Sequence, residues 1–451
     1  MQDLTTGSVA RHLLKTGGFM LVTMIFHTLY ILVDLYWVGR LGTEAVAAVS
    51  VSSNLMFVVL ALTQMLGVGT TTVISHAAGR KDREQAIFAF NQSLALAAAA
   101  GLAFLLVTLA FHSEYARQLS ADAATTALAT QYLLWFIPAM ALQFGLVSMS
   151  AALRGTGHFK PGAVVQTATI VMNIILTPFL IFGWVTGRPL GVTGAALATF
   201  ISIAVGTVWL ALYFLRSSSY LTFMPTEWRP HLRQWWAMLR IGLPAGAEFG
   251  LLAVYLVIVY AVSRPFGAAA QAGFGIGMRV LQAGFMPVVA LAFAVAPVAG
   301  QNFGAGKAQR VRDTFTAAVV MATAAMVLLT VVSQVASSTM IQVFSSDARA
   351  VDVGTEYLRI LSWTFVASGM AFVSSSMFQA MGNTLPALMT SGLRVVSVAI
   401  PVFYVSRLPG FELRWVWYLS AVSIVLQMAM SLWLLRREFR TRLTFALAPV
   451  A

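Results

Sequence analysis

Cysteine is absent from the 451 residues, which excludes a disulfide framework and any thiolate-held metal centre. Charge is nearly as scarce. Asp, Glu, Lys and Arg make up 10% of the chain, against about 25% in a soluble globular protein. Such a chain cannot clothe a water-exposed surface even with every charge outside, so a string of soluble domains is excluded. The six His residues show no HxxxH or HExxH spacing, which argues against a catalytic zinc site. No GxxxxGK followed by Ser or Thr occurs, so there is no Walker-type nucleotide loop. Arg154-Gly155-Thr156-Gly157 lacks the preceding strand that a phosphate loop needs.

What is present is apolar: 59% of residues are hydrophobic and the mean hydropathy is +0.83. A membrane-crossing helix needs about 20 apolar residues. Twelve such segments occur, at 17–38, 46–75, 88–111, 130–152, 163–186, 192–215, 241–263, 271–298, 314–336, 353–378, 386–406 and 414–435. The first is too long for a signal-peptide core and lacks a small-residue cleavage site, so it reads as a permanent span. The net charge of +13 then reflects loop charge, and no nucleic-acid partner is expected. With the N-terminus inside, eighteen Lys and Arg fall on the inner side, including Arg80, Lys81, Arg83, Lys307, Arg310 and Arg436. Eight fall outside, and Arg279 and Arg394 lie at membrane depth. That bias predicts a multi-pass protein of the plasma (inner) membrane with both termini cytoplasmic.

A repeat organises the chain. Shifted by 225 residues, Lys15 meets Arg240, Gly17 meets Gly242, Gly79 meets Gly304 and Asp122 meets Asp347. Tyr132-Leu133 meets Tyr357-Leu358, Ser150 meets Ser375, Gly157 meets Gly382 and Pro161 meets Pro386, all without a gap. Each half holds six segments, so both start on the same side of the membrane. The expectation is an all-α integral membrane protein of twelve transmembrane helices. They form two pseudo-symmetric six-helix lobes, 1–225 and 226–451, around a central cavity, the plan of a secondary transporter.

Ionisable residues inside spans are costly, at about 2.5–3.5 kcal/mol on insertion scales, and usually face a protein interior. The candidates are Asp34, Glu248, Arg279, Arg394 and the polar His27. Asp34 has Val259 as its repeat counterpart, so an acid stands in one half only. It is either a dedicated cation site or an outer-end acid that pairs with Arg40. Glu248 is either a second proton or substrate carboxylate or a structural partner of Arg279 or Arg394. His27 reads as a packed polar residue, unless it faces the cavity and tunes Asp34 two turns away.

Three stretches carry a resemblance: Val33-Asp34-Leu35-Tyr36-Trp37-Val38-Gly39-Arg40-Leu41-Gly42; the paired loops around Gly79 and Gly304; and Leu153–Pro161 with its counterpart Phe378–Pro386. Together with the repeat they resemble the multidrug and toxic compound extrusion (MATE) family along essentially the whole chain. A lone first-span acid points to its DinF-like branch. The resemblance implies antiport, in which organic and often lipophilic cationic compounds are exported by alternating access. The coupling ion it implies is H+, with Na+ left open; a small-molecule substrate, the lipid bilayer and a monomer complete the expectation, with no cofactor and no enzyme activity. In the family the first-span acid is the coupling residue, which assigns that role to Asp34. Its expected neighbours are Tyr36, Asn173 and Thr177. Relatives often carry Asn-x-x-x-Asp at the last two positions, so Thr177 leaves a hydroxyl where a second acid would stand. Asn173 is either a hydrogen-bond partner of Asp34 or a packing amide. Relatives also often have a first-span proline, whereas here Phe19 aligns with Pro244. The glycine-rich loops have a plainer reading as tight helix connections, with Gly79, Gly157, Gly304 and Gly382 as turn residues.

The 21 Met, 30 Phe, 11 Trp and 11 Tyr fit either an adaptable cavity or lipid-facing surface. Two other functions compete with export. A lipid-linked precursor flippase of the same wider superfamily needs several cavity arginines, and only Arg279 and Arg394 are available. A membrane-embedded enzyme lacks any nucleophile–base or metal constellation.

Overall fold

In lipid every backbone N–H and C=O must find its partner within the protein, and a helix achieves this within its own segment. The apolar segments accordingly fold as helices. The computed structural model describes residues 2–184, 187–216 and 220–445; the last two residues of the fifth expected segment, 185 and 186, lie outside them. In chain order the helices are α1 Val9–Gly39, α2 Thr43–Gly79, α3 Arg83–Leu119, α4 Ala123–Gly155, α5 Phe159–Phe182, α6 Gly191–Arg216 and α7 Leu232–Ser263. They continue with α8 Ala268–Gly304, α9 Ala308–Gln342, α10 Ala348–Ser362, α11 Phe365–Ala380, α12 Leu385–Val405 and α13 Leu413–Arg442. Among the described residues eleven helices are long and apolar enough to cross a membrane, and α10 with α11, taken as one bent span, brings the number to twelve.

The chain divides into two compact units. One is Met1–Asp3 with Phe19–Gly242, the other Leu4–Gly18 with Leu243–Ala451. In the first, α2 packs on α3 and α4, α4 on α3 and α6, and α5 on α6. In the second, α8 packs on α9 and on the α10–α11 pair, α9 on that pair, and α13 on α11 and α12. The two packing schemes are the same once α10 and α11 are counted as the counterpart of α4. Helix ends obey the 225-residue offset as well: α2 and α8 match at both ends, and so do α4 and the α10–α11 pair. The first unit has a core of Phe90, Leu133, Ile137 and Phe144, and the second a buried ring cluster of Phe274, Tyr357 and Trp417. In that cluster Phe274 and Trp417 stack at 5.4 Å and Tyr357 meets Trp417 edge-on at 4.9 Å.

The first residues are held down by side chains of the second unit. Leu4 donates its N–H to Gln301 Oε1 at 3.0 Å, and Asn302 Nδ2 donates to the Leu4 carbonyl at 3.2 Å. Lys307 Nζ donates to the Thr5 carbonyl at 2.8 Å and Arg310 Nη1 to that of Gly7 at 3.0 Å. In the first unit Asn91 and Gln92 hold the stretch before α7 in a similar way, through the backbone of Thr222, Met224, Glu227, Arg229 and His231.

The four glycine-rich loops prove to be one device used four times. After α2, Lys81 N–H donates to the Ala78 carbonyl and Asp82 N–H to that of Ala77; after α8, Gly306 and Lys307 do the same to Phe303 and Asn302. After α4, Gly157 and His158 donate to Arg154 and Leu153, and after α11, Gly382 and Asn383 donate to Gln379 and Phe378. This paired 6→1 and 5→2 closure satisfies carbonyls that a helix end leaves open. Its left-handed residue is Gly157 (φ 75°), Gly382 (φ 73°), Gly306 (φ 70°) and, in the fourth copy, Lys81 (φ 60°). Gly157 and Gly382 are therefore turn residues as expected, whereas Gly79 and Gly304 are the last helical residues and the turn falls two positions later. Acids cap the starts of three helices, α3, α4 and α10. Asp82 accepts from Gln85 N–H, Asp122 from Thr125 N–H and Asp347 from Ala350 N–H. The Thr125 N–H holds the Asp122 carboxyl below the usual carboxylate range.

The tenth expected segment, 353–378, is not one straight helix. α10 and α11 meet at an angle of 63° across Trp363 and Thr364. Thr364 Oγ1 donates back to the Leu361 carbonyl at 2.7 Å, turning a side-chain hydroxyl onto its own backbone. The carbonyls around the break are met from α9. Thr330 Oγ1 donates to the Ser362 carbonyl at 2.8 Å, and Gln334 Nε2 to that of Arg359 at 2.8 Å. In the first unit the same position is Pro138, and α4 passes through it as one helix.

Two stability effects follow. A non-glycine residue in the left-handed region is strained by ~1–2 kcal/mol, so Lys81→Gly is expected to raise thermal stability, by ~1 kcal/mol after its added chain entropy. A thermal-unfolding series on the purified protein measures this, and an unchanged or lower midpoint contradicts it. Thr330→Val removes a donor from the Ser362 carbonyl and is expected to cost ~1–3 kcal/mol, with Thr330→Ser close to the parent. Equal stability of the Val and Ser forms in denaturant titration would show that this hydrogen bond does not support the break.

Candidate functional site

Asp34 lies in the last third of α1, whose apolar stretch is not enclosed by protein. Among the described residues neither α1 nor α7 packs broadly on a neighbour, in contrast to α2, α4 and α8. The Asp34 Oδ1 atom is buried and has no hydrogen-bond partner. Its electrostatic neighbours are Tyr30, one turn earlier on α1, and Tyr132 on α4. Tyr30 also neighbours the Thr199 side chain on α6. Thr199 Oγ1 accepts from Asn173 Nδ2 at 3.1 Å, and Thr177 Oγ1 donates to Asn173 Oδ1 at 3.1 Å. Asn173, Thr177 and Thr199 are all buried. A polar chain thus runs Thr199, Asn173, Thr177 across α6 and α5, with Tyr30 of α1 beside its Thr199 end and Asp34 one turn beyond Tyr30.

This arrangement changes three expectations. Asn173 and Thr177 belong to the polar chain, but the amide of Asn173 is used by Thr199 and Thr177, not by Asp34. Tyr36 is not a neighbour of Asp34. Two positions on along a helix of 3.6 residues per turn point away from each other, and Tyr36 is 53% exposed and accepts from Arg40 Nη2 at 2.7 Å. The Arg40 guanidinium lies over the Tyr36 and Trp37 rings, at 5.0 and 5.6 Å from their centroids. Arg40 therefore has its own partners, and no ion pair joins it to Asp34 among the described residues. His27 is exposed, with its ring 6.1 Å from that of Tyr30.

Tyr30, Tyr132 and Thr199 are the members that sequence reasoning passed over. A signal existed for two of them. Tyr30 meets Tyr255 and Tyr132 meets Tyr357 at the same 225-residue offset, so both units keep this tyrosine pair.

The second unit has a cavity of about 170 Å³. Glu248 and Tyr255 on α7, Ser375 and Phe372 on α11, Arg394 on α12 and Gln427 on α13 line it. Ser375 Oγ donates to Glu248, 3.3 Å from each carboxylate oxygen. Tyr255 OH donates to Ser420 Oγ at 3.1 Å, and the Arg394 guanidinium lies 5.1 Å from the Tyr255 ring centroid. The expected structural pairs of Glu248 are not formed. No ion pair joins it to Arg279 or Arg394 among the described residues, and Arg279 is exposed and does not line the cavity. No cluster of three or more metal-ligating His, Asp or Glu occurs among the described residues.

A family model described as MatE matches the chain twice, over residues 20–179 and 244–405. The chain is 28% identical over 392 residues to the multidrug export protein MepA of Staphylococcus haemolyticus (strain JCSC1435), covering 86% of this chain and 84% of that protein. MepA of Staphylococcus aureus (strain N315) is 27% identical over 389 residues, with the same coverage. Among solved structures, a multidrug resistance MATE family transporter of the MOP superfamily in an outward-facing conformation is 22% identical with a TM-score of 0.89. It covers 97% of this chain and 98% of its own. A MOP superfamily transporter from Pyrococcus furiosus, described as having a binding pocket of reverse polarity, has a TM-score of 0.88 at 22% identity and the same coverage. At that identity the two structures share the fold. The family model matches most of both units, and the chain belongs to the MatE family of membrane transporters.

Proposed function

We propose that the protein exports structurally varied organic compounds, lipophilic cations among them, and that inward movement of protons drives the export. Asp34 is the coupling residue in this reading. The observation that carries it is the Oδ1 atom of Asp34, buried without a partner on a helix that is loosely packed. A carboxylate in that setting lacks the hydrogen bonds that would hold it ionised, so gain or loss of a proton changes its interactions strongly. Ionised, Asp34 attracts a cationic substrate. Neutralised from the outer side, it loses one unit of charge, a change of several kcal/mol at most. It also gains an O–H donor. Its acceptor in this reading is one of the tyrosine hydroxyls, Tyr30 or Tyr132, the groups that face Asp34 electrostatically. That new bond shifts the balance of α1, which is free to move, and the substrate leaves. Location in the plasma membrane with both termini cytoplasmic follows from the charge bias of the loops and belongs to the same proposal.

The flippase reading is supported less well. It calls for several arginines around a headgroup, and Arg394 is the one arginine lining the second-unit cavity.

The test is efflux of a lipophilic cationic dye from proteoliposomes under separately imposed pH and sodium gradients. Export is expected to scale with the pH difference and to ignore sodium. Asp34→Asn mimics the protonated form and is expected to fold, yet to lose the dependence on pH, with export down at least ~10-fold, the range expected when a step loses ~1.4 kcal/mol or more of driving interaction. An Asp34→Asn protein that still exports in proportion to the pH difference removes Asp34 from the mechanism. A dependence on sodium alone removes the proton.

A further inference from the structure

The second-unit cavity contains two opposite charges that do not close on each other. Among the described residues Glu248 is hydrogen-bonded by Ser375 alone, and Arg394 presents its guanidinium against the Tyr255 ring with Nε buried and unpartnered. Both line the same cavity, yet no ion pair joins them among the described residues. An uncompensated guanidinium at membrane depth is costly.

The fold does not require either charge. At the 225-residue offset Glu248 corresponds to Thr23 and Arg394 to Thr169. Each threonine hydroxyl donates to its own helix, Thr23 to the Phe19 carbonyl at 3.0 Å and Thr169 to that of Val165 at 2.8 Å. The same helical scaffold is therefore built in the first unit with two inert side chains at these positions. The charges in the second unit have another use.

An acid alone suits a cation, and a guanidinium alone suits an anion. The planar fork of Arg matches a carboxylate with two parallel hydrogen bonds. Between the two charges the wall is apolar and aromatic, with Phe249, Leu252 and Phe372. We propose that this cavity binds compact aromatic zwitterions, with the ligand's ammonium on Glu248, its carboxylate on Arg394 and its ring against the phenylalanines. Arg394 then selects for a carboxylate, which a site built only for lipophilic cations would exclude. The proposal extends the export reading to a second substrate class and rests on it for its biological meaning. Its test is a binding measurement that does not depend on transport.

Tryptophan, tryptamine and indole-3-propionate share one ring and differ in which charge they carry. Their binding to the purified full-length protein in lipid nanodiscs is measured by equilibrium dialysis. Tryptophan is expected to bind at least ~10-fold more tightly than either single-charge analogue, as one added charge-assisted hydrogen-bonded contact provides. Arg394→Gln is expected to bring tryptophan down to the level of tryptamine and to leave tryptamine unchanged. Glu248→Gln is expected to bring it to the level of indole-3-propionate. The proposal is overturned if tryptamine binds the parent protein as tightly as tryptophan does, or if folded Arg394→Gln binds tryptophan undiminished. The parent ligand series decides even where a variant fails to fold. Loss of dye export with the binding series intact would instead count against the export reading alone.

Discussion

Backbone polarity in a medium without water is the constraint on which this structure depends. A carbonyl that would turn to solvent in a soluble protein must here be met by another part of the chain. The helix solves the problem along its length and leaves it unsolved at its ends and wherever it bends. The paired closures after α2, α4, α8 and α11 deal with four of the ends. The break between α10 and α11 survives because Thr330 and Gln334 of α9 reach the freed carbonyls. Polar side chains in the spans are thus committed to the backbone before any are available for transport.

Against that background the uncommitted groups stand out. Asp34 has a buried oxygen with no partner, and Arg394 a buried nitrogen with none. Each has a neutral counterpart in the other half, Val259 for Asp34 and Thr169 for Arg394. The repeat therefore separates scaffold from chemistry. Residues shared at the offset, such as Asp122 and Asp347, which cap corresponding helices, build the fold; residues that differ give each half its own character.

Much of this was legible in the sequence because lipid imposes a coarse code. Apolar runs of the right length mark the crossings, and the offset of 225 carries the repeat that the ends of α2 and α8, and of α4 and the α10–α11 pair, obey. The acids Asp34 and Glu248 were visible because charge within an apolar run is rare. The directions of side chains were not. Tyr36 and Asp34 are close in sequence, but helical geometry turns Tyr36 toward Arg40. The family resemblance puts Asn173 beside Asp34, while its amide is taken up by Thr177 and Thr199. The break at Trp363 has no proline to announce it; it depends on hydroxyl and amide groups of a different helix. The left-handed Lys81 is hidden for the opposite reason, since Lys is the last residue type a turn position would suggest and only the match to Gly306 reveals it.

The grip on the first residues has a consequence for the order of synthesis. Leu4 is bonded to Gln301, 297 positions later in the chain, and Thr5 and Gly7 to Lys307 and Arg310. At ~5–20 residues per second, the ribosome delivers those partners roughly 15–60 s after Leu4 has emerged. Until then Leu4, Thr5 and Gly7 lack these partners; an earlier tie of the first residues to a later loop is that of Gln2 N–H to the Thr156 carbonyl. The stretch that leads into the first helix is therefore fully tied down only after more than 300 residues have been made.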